Sequence, residues 1–361
     1  MAAASPLCLF RRKSITFRRE TAKSLTMPGR MLYKGLWNFV RFYPVRRLPG
    51  SDYGECLRRP VQAEEFLRPQ ERKNGVMGNF QIGIIADWLR LPFEKSMKKC
   101  AAMGAEGVQL YAVEGEMAPE NLSPSARREK RAVIEGCGLK VSALCGDLGG
   151  HGFTRREENP GKIERSKRIV DLALELGGRV VTTHIGVVPA DSASEPYRVM
   201  QEACNELAEY AWKNGAYFAI ETGPEPAERL KGFLDSLDSR GVAVNLDPAN
   251  LVMVTDDDPV KAVHTLREYI VHTHAKDGRL LKKTDPKVIY DFFAEGGIGD
   301  LRLGDYFLET PLGQGTVDFD RYLDALREIG YNGFLTIERE VGENPAADIQ
   351  LAVDFLRARI G

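Results

Sequence analysis

From Phe80 onward the chain alternates short apolar runs with amphipathic helical stretches, and the alternation repeats eight times. The runs are Phe80–Ala86, Gly107–Tyr111, Val141–Cys145, Val180–Ile185, Tyr217–Glu221, Val242–Asp247, Ile270–His274 and Phe334–Ile337. Each has the length and composition of a strand. Between most of them lies helical periodicity. Ile169, Val170, Ala173 and Leu176 share one face of 163–176, which stops at Gly177-Gly178. Phe319, Tyr322, Leu323, Leu326 and Ile329 share one face of 319–329, with Asp318 as N-cap and Gly330 as the stop. Eight such units in about 280 residues predict an α/β fold, a (β/α)8 TIM barrel. An open doubly wound sheet is the main rival. It usually binds through a glycine-rich first turn, and no GxGxxG follows the first run.

Side chains alternate faces along a strand. In the fifth run Phe218 and Ile220 oppose Ala219 and Glu221; in the sixth Val242, Val244 and Leu246 oppose Ala243, Asn245 and Asp247; in the eighth Leu335 and Ile337 oppose Thr336 and Glu338. The apolar face suits packing beneath helices, so the small and polar face points into the barrel. Glu221, Asp247, His274 and Glu338 thus fall at the C-terminal rim, where barrel active sites occur. Three carboxylates and one imidazole suit one divalent cation. The carboxylate-rich set favours Mn2+ or Mg2+, and the imidazole also admits Co2+ or Zn2+.

Charge is unevenly spread. Residues 1–76 carry 16 Lys and Arg against 6 Asp and Glu, and the rest of the chain 34 against 45, for a net charge of −1. This balance makes no global case for nucleic acid or membrane partners, and no apolar run reaches the roughly 20 residues of a membrane span. Six cysteines lack paired or metal-type spacing and read as free thiols in a reducing, cytoplasmic setting. Residues 1–30 are rich in Arg, Ser and Thr, as a transit peptide would be. Residues 1–76 also lack periodicity, and Met77 stands just before the first run. The expectation is a poorly ordered extension, either sequence upstream of a true start or a targeting segment, followed by one barrel domain over 79–361. A basic arm for an anionic partner is a third reading.

Five segments carry a family resemblance: Ala219-Ile-Glu221-Thr-Gly, Asn245-Leu-Asp247-Pro-Ala-Asn250, His272-Thr-His274-Ala-Lys276-Asp277, Pro311-Leu-Gly-Gln-Gly315 and Leu335-Thr-Ile-Glu338-Arg-Glu340. Across about 79–361 the chain resembles the xylose-isomerase-like barrel superfamily of sugar isomerases and epimerases. The resemblance implies one metal ion held by Glu221, Asp247, His274 and Glu338, with Glu221 and Glu338 also the acid/base pair. It implies a small carbohydrate substrate and a homo-oligomer. The expected chemistry is proton transfer through a metal-stabilised enediolate of a sugar, sugar phosphate or related polyol. The alternative is a lyase or dehydratase on a keto-inositol or 3-keto-glycoside, because the first step is common to both. A phosphodiesterase would need several more His ligands. A non-catalytic sugar-binding protein would not need four retained ligands.

Substrate contacts are expected from His184, Asn250, Lys276 and His151. Asn250 departs from the His that ketose 3-epimerases of the group tend to carry three residues after the strand-six Asp. His184 also reads as a hydrogen-bonded core residue, and Lys276 as a salt-bridge partner. Asp147 and His151 lie in a glycine-rich loop that is either a substrate loop or a simple turn. His272 reads as packed core, His264 as solvated and Glu340 as a rim residue. The stretch from Gly278 to Leu312, with Tyr290, Phe292, Phe293, Tyr306 and Phe307, reads as a lid, a subunit contact or surface packing. Gly313-Gln-Gly315 has no phosphate-cradle context.

Overall fold

All eight apolar runs form strands in the computed structural model, which describes residues 80–361. The readings for residues 1–76 lie outside the described residues. The barrel strands are β1 (Gln81–Ile85), β2 (Gly107–Tyr111), β3 (Lys140–Cys145), β4 (Val180–Thr183), β5 (Tyr217–Glu221), β6 (Val242–Leu246), β7 (Ile270–Ala275) and β10 (Phe334–Ile337). They close in the order β1-β10-β7-β6-β5-β4-β3-β2, every pairing parallel. The TIM barrel expected from the alternation is therefore the observed fold.

Helices α1 (Phe93–Met103), α2 (Pro124–Gly136), α3 (Asn159–Glu175), α4 (Glu195–Lys213) and α5 (Ala227–Asp235) connect β1 through β6. After β6 come a single turn α6 (Pro248–Asn250) and then α7 (Pro259–Leu266). Between β7 and β10 the chain adds an antiparallel hairpin, β8 (Asp277–Leu280) with β9 (Phe307–Thr310), and carries α8 (Pro286–Glu295) between its strands. Helices α9 (Phe319–Glu328) and α10 (Pro345–Ile360) flank β10. The Asp318 carboxylate accepts from the Arg321 amide and caps α9.

Strand parity sorts the side chains as the alternation requires. Phe218, Ile220, Val242, Val244, Leu246, Leu335 and Ile337 join one large apolar core between barrel and helices. Ala143, Val180 and Ala219 form a separate small cluster. The rest of the interior is polar and cross-linked. Thr336 bonds His272 Nε2 at 3.0 Å, His272 Nδ1 bonds Asn245 Oδ1 at 3.0 Å, and Gln109 Nε2 donates to Thr182 at 3.1 Å. Buried polar groups of this kind are tolerated only when paired.

The stretch expected as lid, contact or packing does not hang free. Tyr290, Phe292, Phe293, Tyr306 and Phe307 pack on a second apolar cluster of Ala249, Met253, Val254, Ile289 and Leu303. Four described cysteines, Cys100, Cys137, Cys145 and Cys204, are free thiols. No helix among the described residues is long and apolar enough to cross a membrane.

Candidate metal centre

Four strand ends deliver Glu221, Asp247, His274 and Glu338 to one point. One donor atom from each lies within 4.8 Å of the other three, and all four residues are buried. His274 Nδ1 stands 3.1 Å from Glu338 Oε2, 3.4 Å from Asp247 Oδ2 and 3.7 Å from Glu221 Oε2. Donors around a small dication at about 2.1 Å sit about 3 Å from one another, so these separations fit a shared ion. Three buried carboxylates this close repel, and a shared cation would offset that repulsion.

Neighbours set the direction of each ligand. His274 Nε2 lies 3.2 Å from Gln109 Oε1. With the proton on Nε2, that contact is a hydrogen bond and Nδ1 offers its lone pair to the ligand cluster. Glu221 is held from both sides: Asn250 Nδ2 donates to Oε1 at 2.9 Å and Asn245 Nδ2 to Oε2 at 3.2 Å. Asp247 Oδ1 accepts from the Asn250 amide at 2.9 Å, which leaves Oδ2 facing His274. Lys276 Nζ donates to Glu338 Oε2 at 3.2 Å and also to Glu340.

The electrostatics of the two glutamates differ. Burial pushes the Glu221 carboxyl above its ordinary value, only partly offset by His274 and His184. Burial acts on Glu338 the same way, but Lys276 and His274 outweigh it and hold this carboxyl well below the usual range. Burial disfavours a charged His274, yet Glu338 and Glu221 push its imidazole well above the ordinary value. A dication bound here would displace the proton that this negative charge otherwise favours on His274.

The other expected site residues fall in different places. His184 Nδ1 bonds Asp147 Oδ2 at 2.9 Å, and its Nε2, buried and without a hydrogen-bond partner, lies 3.8 Å from Glu221 Oε1. Asn250 and Lys276 touch the ligands as described. His151 is not brought to the cluster: its Nε2 is 2.6 Å from Glu295 Oε1 and its Nδ1 3.7 Å from Asp291 Oδ1, both on α8. His272 is core, His264 is half-buried beside Glu328, and Glu340 pairs with Lys276.

Sequence reasoning missed two neighbours of the site, Gln109 and Glu225, and named two others, Asp147 and Tyr290, without placing them. Gln109 is the lone polar residue in the run Gly-Val-Gln-Leu-Tyr, and inward parity was its signal. Asp147 was visible as a loop acid, but its pairing with His184 was not. Glu225, flanked by prolines, is 1% exposed, and Tyr290 of α8 has its ring centroid 5.5 Å from that of His184. Neither could be placed without the fold.

Comparison with known proteins agrees with this architecture. A family model described as xylose isomerase-like TIM barrel matches residues 97–359. The chain is 25% identical over 242 residues to the L-ribulose-5-phosphate 3-epimerase of Escherichia coli O157:H7, covering 63% of this chain and 75% of that protein. It is similar to a solved xylose isomerase domain protein from Planctomyces limnophilus, with a TM-score of 0.64 and 25% identity over 78% of this chain and 97% of that one. A D-tagatose 3-epimerase-like protein superposes with a TM-score of 0.59 at 19% identity, over 77% of this chain and 98% of that one. At that identity the likeness concerns the fold.

Proposed function

Because the chain belongs to the xylose isomerase-like TIM barrel family, we propose that it is a divalent-metal-dependent epimerase or isomerase of a sugar, sugar phosphate or related polyol. The observation that carries the reading is the convergence of Glu221, Asp247, His274 and Glu338 at one buried point of the barrel rim. The name of the Escherichia coli relative supports the same reaction class.

Those four residues would hold the ion, with Mn2+ or Mg2+ the best match to three carboxylates and one imidazole. The ion would supply Lewis-acid stabilisation of negative charge on a substrate oxygen. The protein's own groups would do the rest. Glu221 and Glu338 come from β5 and β10, strands separated in the barrel by β6 and β7. They therefore approach a substrate over the centre from different sides. One takes a proton from the carbon beside the carbonyl. If the other delivers a proton to the opposite face, that carbon is epimerised; if the first returns it to the neighbouring carbon, an aldose and a ketose interconvert. Asn250 and Asn245 fix the Glu221 carboxylate, and Lys276 fixes Glu338.

The test is exchange of a ring- or chain-carbon hydrogen with deuterium from solvent, in Mn2+-loaded protein and across keto-sugars and keto-inositols. Glu221→Gln and Glu338→Gln are each expected to lower exchange by about 10²–10⁴-fold with the fold intact by circular dichroism. Unchanged exchange in either variant removes that residue from the proton path. A product absorbing in the near ultraviolet would instead identify elimination, the lyase alternative, on the same site.

A further inference from the structure

The wall of the site next to Glu221 mixes apolar loop residues with a few polar groups left open. Loops 184–194, 222–226 and 247–258 follow β4, β5 and β6, and contain no Lys or Arg. Of their acids, Asp191 accepts from the Ala193 amide, Asp256 pairs with Lys283, Asp257 accepts from the Ala227 amide and Asp258 caps α7, which leaves Glu225 and Asp247. Two buried polar atoms in this wall have no hydrogen-bond partner among the described residues: His184 Nε2 and Glu225 Oε1. Both are held by their other ends. Asp147 grips His184 Nδ1 at 2.9 Å, and the Val188 amide donates to Glu225 Oε2 at 2.9 Å. Across the barrel, beyond β1, Trp88 lies edge-on to Tyr111 with its indole N–H also buried and unpartnered. A buried polar atom left open by an otherwise satisfied side chain usually awaits a ligand.

Three cations elsewhere among the described residues are already engaged. Lys276 is shared by Glu338 and Glu340, Arg339 by Glu309 and Asp348, and Arg155 by Glu158 and Glu295. The glycine loop after the hairpin has its backbone donors turned inward. Gly313 N and Gly315 N donate to Asp277 Oδ2 at 3.0 and 2.8 Å, and Val317 N to Asp277 Oδ1 at 3.1 Å. A loop of this kind can cradle an anion, but here the anion is an internal carboxylate.

We infer that this site takes an unphosphorylated polyhydroxy carbonyl compound and discriminates against its phosphate ester, with Glu225 and His184 receiving substrate hydroxyls. A sugar hydroxyl has a proton to give to the Glu225 carboxylate and two lone pairs for a donor. A phosphate dianion has only acceptors, so once Glu225 is ionised, above about pH 7, the dianion meets its carboxylate as a like charge. The Tyr290 ring, at 5.5 Å from that of His184, closes the same wall with an aromatic surface. The inference rests on the metal-assisted epimerase or isomerase reading and narrows its substrate class.

Full-length, Mn2+-loaded protein is offered a panel of free ketoses, including D-ribulose and D-fructose, each beside its terminal phosphate ester. Binding is read by saturation-transfer NMR and proton abstraction by deuterium incorporation. The expected result is at least tenfold tighter binding and faster exchange of the free ketose. In Glu225→Gln, binding of the free ketose should weaken about tenfold while that of the ester stays level or improves. His184→Asn is the second variant and should likewise weaken only the free ketose. An ester bound as tightly as its free sugar, or an ester-to-sugar ratio unmoved by both variants, overturns the inference and leaves the parent reading standing. Exchange of neither member of any pair overturns the parent reading and the inference with it.

Discussion

Single residues at the rim show how burial and neighbours divide identical chemistry. Glu221, Glu225 and Glu338 are all buried glutamates. Only Glu338 has a lysine and a histidine close enough to reverse the effect of desolvation. Glu225 has one backbone donor, and burial pushes its carboxyl up to about 7. The consequence for stability has a definite sign. Between the ordinary glutamate value of 4.5 and about 7, the folded chain keeps a proton that the unfolded chain has released. The contribution of Glu225 therefore falls as pH rises through that window and levels off above it. The span corresponds to about 3 kcal/mol. Glu225→Gln should remove this slope, so that its advantage in denaturant midpoint over the parent chain grows from pH 5 to pH 8. Parallel midpoints at the two pH values would show that Glu225 does not titrate as described.

At the scale of elements, the hairpin β8–β9 and the glycine loop behind it are organised around one side chain. Asp277 accepts backbone hydrogen bonds from Gly278, Gly313, Gly315 and Val317. The loop approaches so closely that a Cβ on residue 315 would lie 2.0 Å from Asp277 Oδ1, so only glycine fits there. A second tie links the hairpin to the end of β10: Glu309 Oε1 accepts from Arg339 Nη1 at 2.6 Å and from the Glu340 amide at 3.1 Å. Since Glu340 and Glu338 share Lys276, the hairpin is coupled to the candidate metal centre through charged groups. Asp277→Ala would strand several buried donors and is expected to cost about 2–4 kcal/mol. Urea unfolding measures the cost, and limited proteolysis should cut the variant first within 313–317. A variant as stable and as resistant as the parent would deny Asp277 this organising role.

For the molecule as a whole, the candidate metal centre joins strands that lie far apart in the chain, so an ion bound there would link binding to folding. The unfolded chain has no preformed site, and a ligand that binds only the folded state stabilises it by about 2.7 kcal/mol at 100 times its dissociation constant. Adding Mn2+ should raise the melting temperature in proportion to the logarithm of its concentration. The shift should vanish in Asp247→Asn, whose parent carboxylate is fully buried at the cluster. An equal shift in that variant would place the ion elsewhere. The barrel and its four converging side chains were legible before any coordinates, because strand period and the order of strands along the chain are local properties that a closed eight-stranded sheet converts directly into an inward face and a rim. The same alternation that sends Phe218 and Ile220 outward sends Glu221 inward. What the linear chain could not decide was which loop groups meet. Asp147 finds His184, His151 turns away to Glu295, and Tyr290 reaches His184 from an insertion more than a hundred residues downstream. Such encounters depend on loop paths and on the packing of α8, where no periodicity specifies direction, so only the tertiary structure settles them.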